Sequence, residues 1–176
     1  MKIVECTFDR HAKQILDIFN EAIIHSTALF DYKPRSEASM VGWFEAKQRA
    51  NFPVIGIEDD ENEAKPLIGF ASYGTFRAWP AYQYSVEHSL YVHKDYRGRG
   101  IGKMLMSELI HAAKVQNYHL MVGGIEATNI SSIKLHESLG FTHAGTIKQA
   151  GFKFSRWLDL SFYQLLLPTP ETPNEN

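Results

Sequence analysis

The sequence predicts an α/β (α+β) domain, and three observations carry that prediction. Apolar patterns of period two and of helical period alternate in the order β α α β β β α β α β β. The three consecutive strands in the middle make a meander, which the repeated βαβ of a doubly wound sheet lacks. The chain has 176 residues, the size of one domain.

The elements follow in order. Ile3 to Thr7 reads as a short strand, and Asp9 as the cap of a helix carrying Ile15, Ile18, Phe19, Ala22 and Ile23 at helical spacing. A second helix is expected from Ser36, after Pro34, to near Asn51, presenting Met40, Trp43, Phe44 and Lys47. Strands Pro53–Ile57 and Leu67–Phe76 flank an acidic loop. A third long strand, Tyr84–Val92, runs into RGRGIG, and the helix behind it places Ile101, Met104, Leu105, Leu109, Ile110 and Ala113 on one face. Leu120–Ile125 reads as a buried strand and Ser131–Leu139 as a short helix stopped by Gly140. Strands Phe141–Ile147 and Trp157–Leu167 close the domain, 1–167, and the proline-rich stretch 168–176 reads as a disordered tail.

Composition narrows the function. Apolar residues at 44% and charged residues at 22% suit a globular core, and a net charge of −2 gives no global reason to bind nucleic acid. Glu58, Asp59, Asp60, Glu61 and Glu63 hold five negative charges in one stretch, so the remainder carries +3. The single cysteine, Cys6, forms no internal disulfide and reads as a small core residue. Without a signal-peptide pattern or a long apolar run, the expectation is a cytoplasmic protein with no membrane partner. The histidines show neither HxH nor HExxH spacing, so no metal is expected.

The informative junction is Arg97, Gly98, Arg99, Gly100, Ile101, Gly102 and Lys103, between a strand and a helix. Glycines there let backbone N–H groups approach a ligand, and a helix N-terminus favours negative charge. Residues 94–103 carry net +3, so phosphate is the expected ligand, against the plainer reading of a connector with solvated charges. The spacing fits neither a P-loop nor a dinucleotide fingerprint.

Arg97-x-x-Gly100-x-Gly102 resembles the (Q/R)xxGx(G/A) signature of GNAT N-acetyltransferases. The segments RAWPAYQYSVEHSLYV, KLHESLGF and GFKFSRWLDLSFYQ resemble the phosphinothricin and methionine sulfoximine acetyltransferases within that superfamily. The resemblance implies a mixed, mostly antiparallel sheet flanked by helices on both faces, with strands splayed at the coenzyme site. It implies that the loop cradles the pyrophosphate of acetyl-CoA, that Leu90, Tyr91 and Val92 lie along the pantetheine arm, and that Asn129 and Ser138 contact the coenzyme. Asn129 also suits a helix N-cap. The runs Arg77, Ala78, Trp79 and Glu87, His88, Ser89 are implied around a small amino-acid acceptor, and a homodimer is implied as the assembly.

Acetyl transfer to an amine needs that amine neutral, so a base is required. Glu87 on the third long strand is the expected base, against a structural carboxylate; His136 is a second titratable candidate, against a packing role. Strand alternation turns His88 to the face opposite Glu87 and returns Ser89 to Glu87's face. Arg77 has the planar fork for an acceptor carboxylate, with Phe30 and Lys153 as further contributors from other loops. The expected activity is acetyl transfer from acetyl-CoA to the α-amine of methionine sulfoximine, methionine sulfone or phosphinothricin. The alternatives are acetylation of a protein N-terminus, lysine or polyamine, and a coenzyme-binding module without turnover.

Overall fold

In the computed structural model, which describes residues 1–64 and 66–175, the elements appear in the expected order. They are β1 (Lys2–Glu5), α1 (Phe8–His25), α2 (Glu37–Arg49), β2 (Val54–Glu58), β3 (Leu67–Thr75), β4 (Ser85–Val92), α3 (Ile101–Val115), β5 (Leu120–Glu126), α4 (Ile130–Ser138), β6 (Thr142–Lys153) and β7 (Arg156–Leu166). The strands form one sheet in the order β1-β2-β3-β4-β5-β7-β6. Neighbours β1–β2, β2–β3, β5–β7 and β6–β7 run antiparallel, whereas β4 and β5 run parallel. The β4–β5 ladder comprises Ser85↔Leu120, Val86↔Met121 and Glu87↔Val122.

The chain divides into two compact units: residues Met1–Ser72 with Ser89–Leu109, and Tyr73–His88 with the chain from Ile110 onward. In the first unit, α1 buries Ile15, Leu16, Ile18 and Phe19 against Met40 of α2 and Val54, Leu67 and Phe70 of the strands. Phe19 meets Trp43, Phe70 and Tyr91 edge-on at 5.7, 5.0 and 5.2 Å, the geometry that ring quadrupoles favour. In the second unit Tyr73, Val86, Met121, Ile125, Phe141, Leu158 and Tyr163 form the buried interior.

Local expectations are corrected in two regions. Helix α1 is capped at Thr7 rather than Asp9. The Thr7 N–H donates to His11 Nδ1 at 2.9 Å, which fixes the His11 proton on Nε2, facing Glu58 Oε1 at 3.1 Å. Arg10 reaches the same oxygen at 2.7 Å. Glu58 is therefore a buried member of β2 and not a loop residue; a carboxylate reads as loop in a sequence because its two partners, His11 and Arg10, lie 47 and 48 positions upstream.

The second correction is β6, expected to end at Ile147 and observed to continue to Lys153. Its register with β7 shifts between His143 and Gly145 and again between Ile147 and Gly151, which breaks the period-two pattern. At the second shift Gln149 takes φ 52°, and its N–H donates to Asp159 Oδ1 at 2.9 Å. The β6–β7 turn is Phe154–Ser155, both left-handed at φ 51° and 58°, without the Asn-Gly pair that marks such turns in a sequence. Gly140 sits past α4 at φ 89°, as expected.

Beyond β7 the chain has no helix or strand through residue 175. Thr169 nevertheless donates to Tyr118 O at 2.6 Å, and the Asn174 N–H donates to Tyr84 Oη at 3.0 Å. Asn176, the last residue of the expected tail, lies outside the described residues. Among the described residues no helix is long and apolar enough to cross a membrane, and no group of three His, Cys, Asp or Glu is arranged for a metal.

Candidate active site

In the second unit, β4 brings Glu87 beside β5 where Gly124 leaves room for it. A Cβ at Gly124 would lie 3.3 Å from Glu87 Oε1 and 3.4 Å from Leu160 Cδ1. Burial pushes the Glu87 carboxyl above its ordinary pKa, and the Arg77 guanidinium pulls the other way. Arg77 leaves β3 exposed, donating to Phe76 O at 2.8 Å and lying 4.4 Å from the Phe76 ring centroid. Ala78 and Trp79 are exposed, Trp79 by 70%, ahead of a single 3-10 turn at Pro80–Tyr82. The structure thus places a half-buried carboxylate within electrostatic reach of a guanidinium carried by a loop of exposed aromatic side chains.

His88 turns to the other face of β4, as alternation predicts, and meets α4. Its Nε2 lies 2.9 Å from His136 Nε2, with the rings at 4.9 Å and 23°. His136 is buried, and its Nδ1 donates to Ser132 O at 2.6 Å. Both nitrogens of His136 are therefore engaged. Burial lowers both imidazoles, His88 to about 3 with the help of the neighbouring His136, so the pair is neutral at pH 7. Asn129 caps α4, its Oδ1 accepting from the Ser132 N–H at 3.2 Å and from Ser131 Oγ at 3.1 Å. Ser138 Oγ donates to Leu135 O within the same helix at 2.7 Å. Lys153 is the buried last residue of β6 and not a loop residue.

In the first unit, Leu90, Tyr91 and Val92 are half-buried on β4, and a 3-10 turn at Lys94–Tyr96 leads into the glycine loop. Gly98 and Gly100 take φ 78° and 80°, a region closed to most L-residues, and nothing lies within 4 Å of a Cβ built on either. The backbone there is exposed and preset in a conformation that only glycine adopts without strain. Gly100 O accepts from the Lys103 and Met104 N–H groups at 3.0 and 3.2 Å, so α3 begins directly at the loop. The Ile101 and Gly102 N–H groups ahead of them have no carbonyl inside the helix, and such a helix start favours an anion. Arg97 reaches Glu21 Oε2 at 2.5 Å and Val92 O at 3.2 Å, and Arg99 reaches Asp95 O at 3.1 Å. Tyr96 Oη donates to Asp59 Oδ2 at 3.1 Å. The acidic stretch, expected to lie away from the motif, is thus anchored one residue before Arg97.

The His88–His136, Arg97–Glu21 and Tyr96–Asp59 pairs were not anticipated. Each joins residues 37 to 76 positions apart, and no local pattern marks such a pair.

The structure thus holds a parallel β4–β5 pair, a basic glycine loop opening a helix and, on β4, a carboxylate raised by burial. The acetyltransferase (GNAT) family pattern matches residues 14–141, and the chain belongs to that family and is an acetyltransferase. It is 40% identical over 160 residues to the L-methionine sulfoximine/L-methionine sulfone acetyltransferase of Salmonella typhimurium, covering 91% of each chain. The solved structure of an acetyltransferase candidate from Acinetobacter baylyi is 60% identical at a TM-score of 0.96, with 99% of this chain and 97% of that one covered. A GNAT phosphinothricin acetyltransferase from Sinorhizobium meliloti, solved in complex with acetyl-CoA, is 32% identical at a TM-score of 0.91, with 98% and 91% covered.

Proposed function

We propose that this acetyltransferase moves acetyl from acetyl-CoA to the α-amine of a small amino acid such as methionine sulfoximine, methionine sulfone or phosphinothricin. The observation that carries the reading is that Glu87 lies within electrostatic reach of Arg77 in one unit. An amino-acid acceptor brings an ammonium that must lose a proton and a carboxylate that needs a cation; Glu87 and the guanidinium fork of Arg77 match those two needs. Trp79 and Tyr82 give the acceptor's side chain an apolar surface. The loop 97–103 and the start of α3 suit the coenzyme's pyrophosphate, since Gly98 and Gly100 expose backbone where a Cβ would strain it. The thioester supplies the activated acetyl group.

Chemistry then follows from the residues present. The amine's C–N bond forms as the C–S bond breaks, with the electron pair going to sulfur. Glu87, pushed toward neutrality by burial, takes the ammonium proton closer to neutral pH than an exposed carboxylate could. His136 enters this reading as a support, because Ser132 O and His88 occupy its nitrogens.

Three of the five carboxylates in the acidic stretch are already engaged, which leaves the stretch less suited to a cationic acceptor. Glu58 is paired with Arg10 and His11, Asp59 with Tyr96, and Asp60 with the N-terminal ammonium. The test of the amino-acid reading is Arg77→Ala: the KM for the amino acid is expected to rise by about 10- to 100-fold, the loss of a charge-assisted pair, with the KM for acetyl-CoA within a factor of about two. An unchanged amino-acid KM contradicts the assignment.

A further inference from the structure

The bond between His88 and His136 has a fixed direction. Ser132 O only accepts, so His136 carries its proton on Nδ1, and the neutral ring's Nε2 is an acceptor. His88 therefore donates from Nε2 across 2.9 Å, which leaves His88 Nδ1 as a bare lone pair, buried and without a hydrogen-bond partner. Leaving a buried acceptor unsatisfied is costly, so the fold retains this ring against a penalty. Space is reserved for it as well: a Cβ at Gly123 would lie 2.5 Å from His88 Nε2 and 3.1 Å from His136 Nε2. Phe141 closes the pair edge-on at 5.7 and 5.0 Å.

The place of this bond along β4 gives it a role. The backbone ladder between β4 and β5 ends at Glu87↔Val122, and His88 is the next residue. At that residue the strand is tied by a side-chain bond to α4.

We propose that the chain Ser132 O, His136, His88 is a positioning device for Glu87: it takes over from the ladder at the residue after the base and fixes the carboxylate's direction. The inference rests on the reading of Glu87 as the base. The charge facing Glu87 is Arg77, and the titratable group facing His88 is His136, with Tyr163 behind it at 6.4 Å. In this role His88 and His136 act through Glu87.

The test compares His88→Leu with His88→Gln in the full chain, using thiol release with methionine sulfoximine. Leucine removes the donor; glutamine keeps an N–H where Nε2 donated. A base displaced by about an ångström loses much of its rate, so His88→Leu is expected to lower kcat by about 10- to 100-fold, and His88→Gln to stay within about five-fold. In the leucine variant the acidic limb of kcat/KM moves to lower pH, as a loosened Glu87 gains solvent, while the KM for acetyl-CoA holds. His136→Leu breaks the same bond from the helix side and is expected to repeat the loss, which covers the case of a His88→Leu chain that does not fold. A folded His88→Leu or His136→Leu enzyme with wild-type kcat and an unmoved acidic limb overturns the proposal, as does an equal loss in His88→Gln. Glu87→Gln, measured alongside, separates the two claims: if it turns over normally, the base reading itself has failed.

Discussion

Glu87→Gln is expected to lower kcat at neutral pH by about 10²–10⁴-fold, the range for losing a positioned general base, with little change in thermal stability. The amide is isosteric and neutral, and the carboxyl is already pushed toward its neutral form by burial, so the fold loses little. The loss should be pH-dependent. Free amino-acid amines titrate above the α-amino range of peptides, about 7.7–8.0, so raising the pH supplies neutral amine without a base. The variant's rate should climb with pH toward that of the wild type, whose rate levels off earlier. Steady-state kinetics from about pH 6 to 10, a range that brackets those amine values, check this. A variant that runs at the wild-type rate across that range places the base elsewhere.

The second large effect is on stability in acid. An unfolded histidine titrates near 6.5, whereas His88 in the fold is pushed down to about 3 by burial and by His136. Below pH 6.5 the unfolded chain binds a proton that the folded chain refuses until near pH 3. The stability His88 contributes is therefore complete above pH 6.5 and is lost as the pH falls from 6.5 toward 3. At about 1.36 kcal/mol per pH unit, His88 alone removes roughly 2 kcal/mol between pH 7 and pH 5. His136, lowered by burial, adds in the same direction, and Glu87, raised by burial, opposes. Urea unfolding at pH 7 and pH 5 reads the sum, and His88→Gln should flatten it by removing the titrating group while keeping the donor to His136. Identical slopes in both proteins contradict a buried neutral pair.

Much of this architecture was legible because it is local. The apolar spacing of Ile15, Ile18, Phe19, Ala22 and Ile23 needs nothing beyond α1 to announce a helix, and Ser36 before Glu37 marks the start of α2. The glycine loop was legible for the same reason: a strand, four basic residues and a helix lie in contiguous sequence. What escaped depends on distant partners. Thr7 caps α1 with the help of His11, itself held by Glu58, 47 residues on. β6 outruns its expected end because two bulges and a Phe154–Ser155 turn interrupt the alternation that defines a strand in sequence. In the site, alternation placed Glu87 and His88 on opposite faces of β4 correctly, yet gave no sign that His88 would meet His136, 48 positions away. His136 was legible only as a titratable residue on a short helix; the hydrogen bonds on both its nitrogens come from partners that sequence does not mark.

The central claim is that the acceptor is a small amino acid whose amine is deprotonated by Glu87 beside Arg77. Its most direct test is thiol release from acetyl-CoA by the purified chain, offered methionine sulfoximine, methionine sulfone, phosphinothricin, a polyamine, an alanine-terminated peptide and a lysine peptide at equal concentration. The account predicts saturable release with at least one of the three amino acids and a kcat/KM at least about 100-fold lower for the peptides and the polyamine, which lack a free carboxylate next to the amine and so forgo the charge-assisted pair with Arg77. Release with a peptide or the polyamine alone, and none with any amino acid, contradicts it.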